Sequence, residues 1–410
     1  MLPDSSQLRE PLLLTTHRMS LGETGTRGYF LPLLLVCCWK VSAAGVADYD
    51  DYSSNGTDEN RTEQQSGLCP RAIPGETVTE NNATFLSISK DSHGSLNGML
   101  TVIVLPSFYT LIFLVGLPAN ALALWVLTTR VEKLPSTVFL INLATADLLL
   151  CLLLPLKISY YFLGNHWPFG EAMCRFTTMA FYGNMYCSII LLACISMDRY
   201  LAVAHPFFAR SFRSSAFAVG TCAVVWVVAV LFTLPLTLFR QSFPLYGTKQ
   251  TLCHDVLPWQ WEEQHYYHYF ITLIACGFLI PLLIMVFSCG VTLRVLLGSG
   301  EKYALAAKLT ALMLISVMAF YSPSHILLLL DYSRSCLRRD GTFYGAYMAS
   351  LALSTCNSCV DPFIYYYVSE EFRLNVKRRL FGHRKDSAVS MKTSKETLPS
   401  KNFHHSQCPG

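Results

Sequence analysis

Two acidic residues lie inside long apolar stretches of the sequence, where an ionisable group is costly and therefore marks a candidate functional site. Asp147 stands in "NLATADLLL" and Asp361 in "NSCVDPFIYYY". Ser188 and Asn357 supply further polar atoms, and Asn357 shares a helix face with Asp361 because the two are four residues apart. Such a cluster can hold a cation such as sodium, share a proton, or join helices by hydrogen bonds. We expect no other cofactor or metal.

The elements that position these groups are membrane-spanning helices. Of 410 residues, 52% are hydrophobic and 14% are charged, a composition typical of a membrane protein. A spanning helix needs about 20 mostly apolar residues, and seven runs meet that requirement. They cover residues 98–128, 137–162, 172–204, 215–239, 267–293, 307–331 and 343–367. The sequence therefore predicts an all-α membrane protein whose body, residues 98–367, is a seven-transmembrane helix bundle.

The segments outside the bundle indicate its orientation. Residues 1–45 have the features of a secretory signal peptide, with Met19 as an alternative start. Lys and Arg are concentrated in the loops that would then be cytoplasmic, as the positive-inside rule requires. We therefore expect a multi-pass plasma-membrane protein with an extracellular N-terminus. Residues 46–97 are predicted to be a flexible extracellular leader, and residues 368–410 a short cytoplasmic amphipathic helix followed by a tail. Three glycosylation sequons occur in the leader, at Asn55, Asn60 and Asn82.

A short apolar and turn-forming segment, "CPRAIPGETV" at residues 69–78, interrupts the polar leader. Its arginine, Arg71, is one of three basic residues between the signal peptide and the first run, with Arg61 and Lys90. Because any extracellular leader can contain an arginine by chance, the segment alone establishes no function.

Several functional classes are excluded. No constellation of nucleophile and base faces an aqueous site, so we do not expect an enzyme. The seventh run has no lysine for a retinal Schiff base, and no paired inverted halves indicate a transporter. We expect no nucleic-acid partner.

Motifs in the runs resemble the rhodopsin-like G-protein-coupled receptors. They occur in order, one per helix, as "GLPAN", "NLATADLL", "SMDRYLAVAHP", Trp226, Pro281, "FYSP" and "DPFIYYY". The resemblance implies a sodium site anchored by Asp147, a heterotrimeric G protein and arrestin as partners, and Phe320 in place of a tryptophan switch. The residues implied to couple or switch are Asp198, Arg199, Tyr200, Phe320, Pro323, Pro362 and Tyr365.

The outer loops and the leader resemble the protease-activated receptors within that family, on stretches such as "LCHDVLP", "NHWPFGEAMCRF" and "LPLTLFRQSF". The resemblance implies that a serine protease such as thrombin or trypsin cleaves after Arg71, and that the new N-terminus folds back as a tethered agonist. The implied ligand residues are Ala72, Ile73, Pro74, Gly75, Glu76 and Thr77. The candidate pocket residues are His254 and Asp255, with Asp255 as partner of the new ammonium group. Tyr182, Tyr332 and Tyr344 lie near the outer ends of their helices and either line the pocket or anchor the helices at the lipid interface.

The same resemblance implies a disulfide between Cys174 and Cys253. The other two outer cysteines, Cys69 and Cys336, either pair with each other or stay free. Membrane lipid is a further expected partner. The rival hypothesis is a receptor for a diffusible peptide or nucleotide, in which the leader is inert.

Overall fold

A computed structural model describes residues 73–80, 83–212, 214–258, 267–298, 303–333 and 342–368. Some sequence predictions concern residues outside these ranges, namely the signal peptide with Met19, the sequons at Asn55, Asn60 and Asn82, the cleavage pair Arg71 and Ala72, Cys69 and Cys336, and the cytoplasmic amphipathic helix and tail.

Helices make up most of the described chain. In chain order they are α1 (Lys90–Leu96), α2 (Leu105–Thr129), α3 (Pro135–Phe162), α4 (Gly170–Ala204), α5 (Pro206–Phe212), α6 (Ser215–Thr233), α7 (Pro235–Leu238), α8 (Tyr267–Thr272), α9 (Ile280–Gly298), α10 (Ala304–Ser333), α11 (Thr342–Ser354) and α12 (Asn357–Val368). Two π-helical segments, Leu100–Val104 and Leu273–Leu279, lead into α2 and α9. Six helical stretches, centred on α2, α3, α4, α6, α9 and α10, are long and apolar enough to cross a bilayer.

The seventh predicted run forms a helix in two parts, α11 and α12. Between them the N–H groups of Thr355 and Cys356 donate to the carbonyls of Ala352 and Leu353, at 3.1 and 3.0 Å. These three-residue spacings tighten the backbone into a 3₁₀-like turn. Each part alone is shorter than a spanning helix, but together they extend over the seventh run, as the bundle prediction requires.

Local signals explain where several helices begin and bend. Pro135 occupies the first position of α3, where its missing N–H costs no intrahelical bond. The Ser214 side chain accepts a hydrogen bond from the Phe217 N–H at 3.1 Å and so caps α6. Pro323 and Pro362 lie inside α10 and α12, as predicted, where each removes one backbone hydrogen bond.

Two small sheets cover the outer end of the bundle. Their strands are β1 (Ile73–Glu80), β2 (Ala83–Ser87), β3 (Ser242–Pro244), β4 (Thr251–Cys253) and β5 (Val256–Pro258). In one sheet β1 lies between β2, to which it is antiparallel, and β5, to which it is parallel, while β3 and β4 form an antiparallel pair. The sequence did not predict these strands.

Residues 73–97 thus differ from the flexible leader that was expected. The physical reason is that the loop before α8 offers β5 as a strand edge, so the β1 backbone finds hydrogen-bond partners that the leader lacks alone. The leader also contacts the first outer loop, since the Asn165 side-chain amide donates to the Leu96 carbonyl at 2.8 Å.

Candidate functional site

A cavity opens at the outer end of the bundle, between α3, α4, α11 and the loop that carries β4 and β5. The lining residues that bear on its chemistry are Lys157, Tyr160, Phe181, Tyr182, His254 and Asp255. Aromatic side chains form most of this set, and its charges are one lysine and one carboxylate. Such a cavity suits a short peptide with an apolar side chain and a cationic end.

Asp255 is the acidic centre of the cavity, in the turn between β4 and β5. It is 4% exposed, and its Oδ2 accepts a hydrogen bond from the Tyr160 hydroxyl at 2.6 Å. Tyr344, on α11, is also buried and interacts electrostatically with Asp255. A buried carboxylate with tyrosine hydroxyls around it is a site for an ammonium group.

His254 sets the direction of the chain beside Asp255. Its backbone has φ of +67°, in the left-handed region that non-glycine residues adopt only under constraint. Its N–H donates to the Gln241 carbonyl at 2.9 Å, and its Nδ1 contacts the Gln241 side-chain oxygen. The ring meets Tyr182 edge to face at 5.8 Å, and the hydroxyls of Tyr182 and Tyr347 share a hydrogen bond of 3.1 Å. The structure thus brings three of the predicted pocket residues together.

A disulfide and one carboxylate hold the loop over the cavity. Cys174, in the first turns of α4, is bonded to Cys253 at the end of β4, as the sequence resemblance implied. Glu171 accepts hydrogen bonds from the backbone N–H groups of Gln241 and Ser242, at 2.8 and 2.7 Å. Arg175 donates its Nε to the same carboxylate at 2.6 Å. Sequence reasoning missed this role of Glu171.

The predicted ligand segment lies directly against this loop. The Ile73 N–H donates to the Asp255 carbonyl at 2.9 Å, and Ile73 pairs with Val256 in the parallel register. The Ile73 side chain is fully buried, whereas Glu76 and Thr77 are exposed. Pro74 and Gly75 continue the strand opposite Leu257 and Pro258.

Three of the lining residues named above, Lys157, Tyr160 and Phe181, were not predicted. Tyr332 falls in the last turn of α10, and its side chain is outside the described part of the structure. Lys157 projects into the cavity with its Nζ 4.0 Å from the centre of the Phe181 ring, a cation–π contact. The rule that singled out Asp147 also applied to Lys157 in "LLLPLKISYYF", so the signal was present in the sequence.

Deeper in the bundle, the predicted polar residues form a buried cluster. Ser358 donates its hydroxyl to Asp147 at 3.0 Å, and the Asn357 amide donates to Asp361 at 2.6 Å. Asp361 also interacts electrostatically with Asp147, and the two are 0% and 1% exposed, respectively. Ser188 is equally buried. Three oxygens of this cluster make no hydrogen bond within the described residues, those of Ser188 (Oγ), Asn357 (Oδ1) and Asp361 (Oδ1).

The structure places Tyr321, and not Phe320, at the centre of α10. Tyr321 is 3% exposed, and its side chain interacts with Ser188, Asn357 and Asp361. Phe320 is only half-buried. Neighbouring residues on an α-helix point about 100° apart, so only one of the two can face this cluster. The side chain that meets the cluster is therefore that of Tyr321, whereas the resemblance named Phe320; a switch role stays a prediction.

At the cytoplasmic end, α4 carries Asp198, Arg199 and Tyr200. Asp198 is buried and Arg199 is half-buried. The Tyr200 hydroxyl shares a hydrogen bond of 2.9 Å with Nε2 of His205, the residue that ends α4. Tyr365 lies in α12. Their predicted roles in coupling stay predictions.

Comparison with known proteins agrees with this architecture. Residues 119–365 match the family model described as 7 transmembrane receptor (rhodopsin family). Proteinase-activated receptor 4 of Homo sapiens is 47% identical over 85% of this chain and 90% of its own length, and that of Mus musculus is 48% identical over 80% and 82%. Proteinase-activated receptor 2 of Homo sapiens is 35% identical over 82% and 86%. These matches confirm the predicted seven-transmembrane fold and the resemblance drawn from the motifs. The chain belongs to the rhodopsin family of seven-transmembrane receptors and, within it, to the proteinase-activated receptors.

Proposed function

We propose that a serine protease such as thrombin or trypsin cleaves this receptor after Arg71, and that the new N-terminus from Ala72 to Thr77 then acts as its tethered agonist. The supporting observation is the hydrogen bond from the Ile73 N–H to the Asp255 carbonyl. It joins the residue two positions after Arg71 to the residue that we assign to the ammonium group.

The chemistry of the cavity favours this ligand. Cleavage turns the Ala72 nitrogen from an amide into an ammonium group, whose charge complements the Asp255 carboxylate. Asp255 is almost fully buried, so the pair would form where water screens it weakly. Tyr160 already donates to one carboxylate oxygen, so the carboxylate is held in a fixed position for the ammonium group.

The receptor is a plasma-membrane protein, and its family consists of receptors and not of enzymes. On the inner side we propose a heterotrimeric G protein as its signalling partner and arrestin as a second. Arg199 would contact the G protein once it is released from the buried Asp198, and the proline-containing helices α10 and α12 would change their packing on activation. Membrane lipid would surround the apolar outer faces of the bundle.

We further propose that a sodium ion binds the cluster of Asp147, Ser188, Asn357 and Asp361. Two buried carboxylates that interact with each other need a counter-charge, and three unpaired buried oxygens in the same cluster are suitable ligands for a hard cation. The ion would stabilise the packing of α3, α4 and α12 around it. A proton shared by the two carboxylates is the competing possibility.

The cleavage proposal is tested in cells that express the receptor. The parent is expected to signal after thrombin or trypsin, whereas Arg71→Ala is expected to lose that response and to keep its response to the synthetic peptide Ala72–Thr77. Arg61→Ala, a second leader arginine removed, serves as the matched control and should respond like the parent. If Arg71→Ala responds to protease like the parent, activation by a cut after Arg71 is wrong. If the parent itself does not respond to protease, the leader is inert and the rival hypothesis, a diffusible ligand, takes its place.

A further inference from the structure

We propose that the sheet of β1, β2 and β5 holds the ligand segment in place before cleavage, and that Leu86 is the residue that positions it. The docked strand would restrict access of the protease to Arg71 and then deliver the new N-terminus to Asp255. This inference rests on the proposed cleavage after Arg71.

The first argument is the extent of the docking in the uncut chain. Ile73 is 0% exposed and pairs with Val256, while Gly75 pairs with Pro258. On its other side β1 pairs with β2 from Glu76 opposite Ser87 to Glu80 opposite Ala83. The ligand segment is therefore paired along its described length, by β5 through Gly75 and by β2 from Glu76 onward, which is how a sheet holds an added peptide strand.

The second argument is the position of Leu86 between the leader and the loop. Its side chain is fully buried, and its carbonyl accepts a hydrogen bond from the Tyr246 N–H at 2.8 Å. A Cβ atom at Gly75 would lie 2.9 Å from Val256 Cγ1 and 3.2 Å from Leu86 Cβ. The absence of a side chain at Gly75 is thus what lets Leu86 pack onto the strand where β1 meets β5.

Docking and cleavage compete for the same residues. A protease binds its substrate as an extended strand on both sides of the scissile bond. Ile73 and Gly75 are the second and fourth residues after that bond, so they cannot occupy the protease cleft and the β5 edge together. The cut therefore requires local opening of the β1–β5 pairing, and its rate follows the population of the open form.

After the cut, the same docking favours the agonist state. Ala72 is bonded to Ile73, and consecutive Cα atoms are about 3.8 Å apart, so the new ammonium group starts one residue from the Asp255 backbone. Because the leader is anchored at Leu86, the segment between the new N-terminus and its anchor is far shorter than in a leader that is anchored only at the first spanning helix. A shorter tether that still reaches raises the effective concentration of the ligand.

The test is Leu86→Ala, because Leu86 lies outside both the protease recognition sequence and the ligand. Cleavage is measured at low thrombin concentration from the fragment released under reducing conditions, which makes any Cys69 disulfide irrelevant. A synthetic peptide of residues 46–80, which retains the acidic stretch but lacks β2 and β5, gives the rate of the undocked substrate. Thr79→Ala, an exposed change on β1, is the matched control.

We expect the parent and Thr79→Ala to be cleaved more slowly than the peptide, and Leu86→Ala to be cleaved about tenfold faster than the parent, because truncating a buried leucine favours the open form. At equal extents of cleavage, Leu86→Ala should signal less. Before cleavage it should respond to the free peptide Ala72–Thr77 at lower concentrations than the parent, since its own strand no longer occupies β5. That gain of sensitivity also shows that the variant is folded.

Cleavage of Leu86→Ala at or below the parental rate overturns the proposal, as does unchanged or reduced sensitivity to the free peptide. Failure of the proposed function has a different signature, in which Arg71→Ala is still activated by the protease.

Discussion

Replacing Asp255 by asparagine tests the assignment of the ammonium group most directly. The amide is nearly the same size, and its oxygen can still accept the hydrogen bond that Tyr160 donates at 2.6 Å. The loop should therefore keep its shape while the negative charge is lost. Any loss of response then reports the charge and not the fold.

The expected magnitude follows from the burial of Asp255, which is 4% exposed. Removing one partner of a buried, hydrogen-bonded charge pair costs about 2–5 kcal/mol, and each 1.4 kcal/mol is about a factor of ten. We take the lower end of this range, because asparagine still accepts a hydrogen bond. Asp255→Asn should therefore need an at least about 30-fold higher concentration of the free peptide Ala72–Thr77 for the same response. The tethered ligand has an effective concentration near the millimolar range, so the cleaved receptor should lose less of its response.

The assay is a pair of dose–response measurements on each variant, with free peptide and after complete cleavage. Tyr160→Phe removes the hydrogen bond and keeps the carboxylate, so it should shift peptide potency less than Asp255→Asn does, because the ammonium group keeps its charge partner. Glu80→Gln removes an exposed carboxylate from β1 and should change nothing. Equal peptide potency for Asp255→Asn and the parent would refute the assignment.

Two further predictions concern the ligand backbone and the buried cluster. A free peptide with Gly75 replaced by alanine should be about 5–100-fold weaker than Ala72–Thr77 in a dose–response assay. The reason is that the added methyl would lie 2.9 Å from Val256 Cγ1, and overpacking costs about 1–3 kcal/mol. As a control, replacement of the exposed Thr77 should have little effect. Raising sodium at constant ionic strength should lower agonist potency in the parent but not in Asp147→Asn, whereas a response that follows pH and ignores sodium would mean that a shared proton neutralises the cluster.

The helical part of the fold was predictable because its signals are local. Apolar runs mark the spans wherever they pack, and the depth of Asp147 and Asp361 in those runs marks the buried cluster. The Cys174–Cys253 disulfide came from the resemblance. The error at Phe320 has a different origin, since one residue of displacement on a helix rotates a side chain by about 100°. Hydropathy does not resolve that rotation within a span.

The extracellular sheet was harder to predict, because β1 pairs with β5 across most of the bundle sequence. Its hairpin half had a local signal. β1 ends at Glu80 and β2 begins at Ala83, so only two asparagines, Asn81 and Asn82, separate two segments rich in β-branched and aromatic residues, a pattern typical of a two-residue hairpin. The parallel pairing of β1 with β5 had no local signal in the sequence, because that pairing depends on where the bundle and its disulfide place the loop.

Phe181 lines both the outer cavity and a smaller cavity beside the buried cluster, so we expect it to connect ligand binding to that cluster. Its ring lies under Lys157 in the outer cavity and also borders a smaller cavity lined by Tyr321 and Ser358. Ser358 donates to Asp147 in the buried cluster, so one aromatic side chain separates the two regions. A positive N-terminus bound at Asp255 would repel the Lys157 ammonium group, and movement of that group would displace the Phe181 ring with which it makes its cation–π contact. Close-packed interiors move between discrete packings rather than deforming gradually. Such a change costs least where a helix is already interrupted, as at the break between α11 and α12 and at the proline in α10.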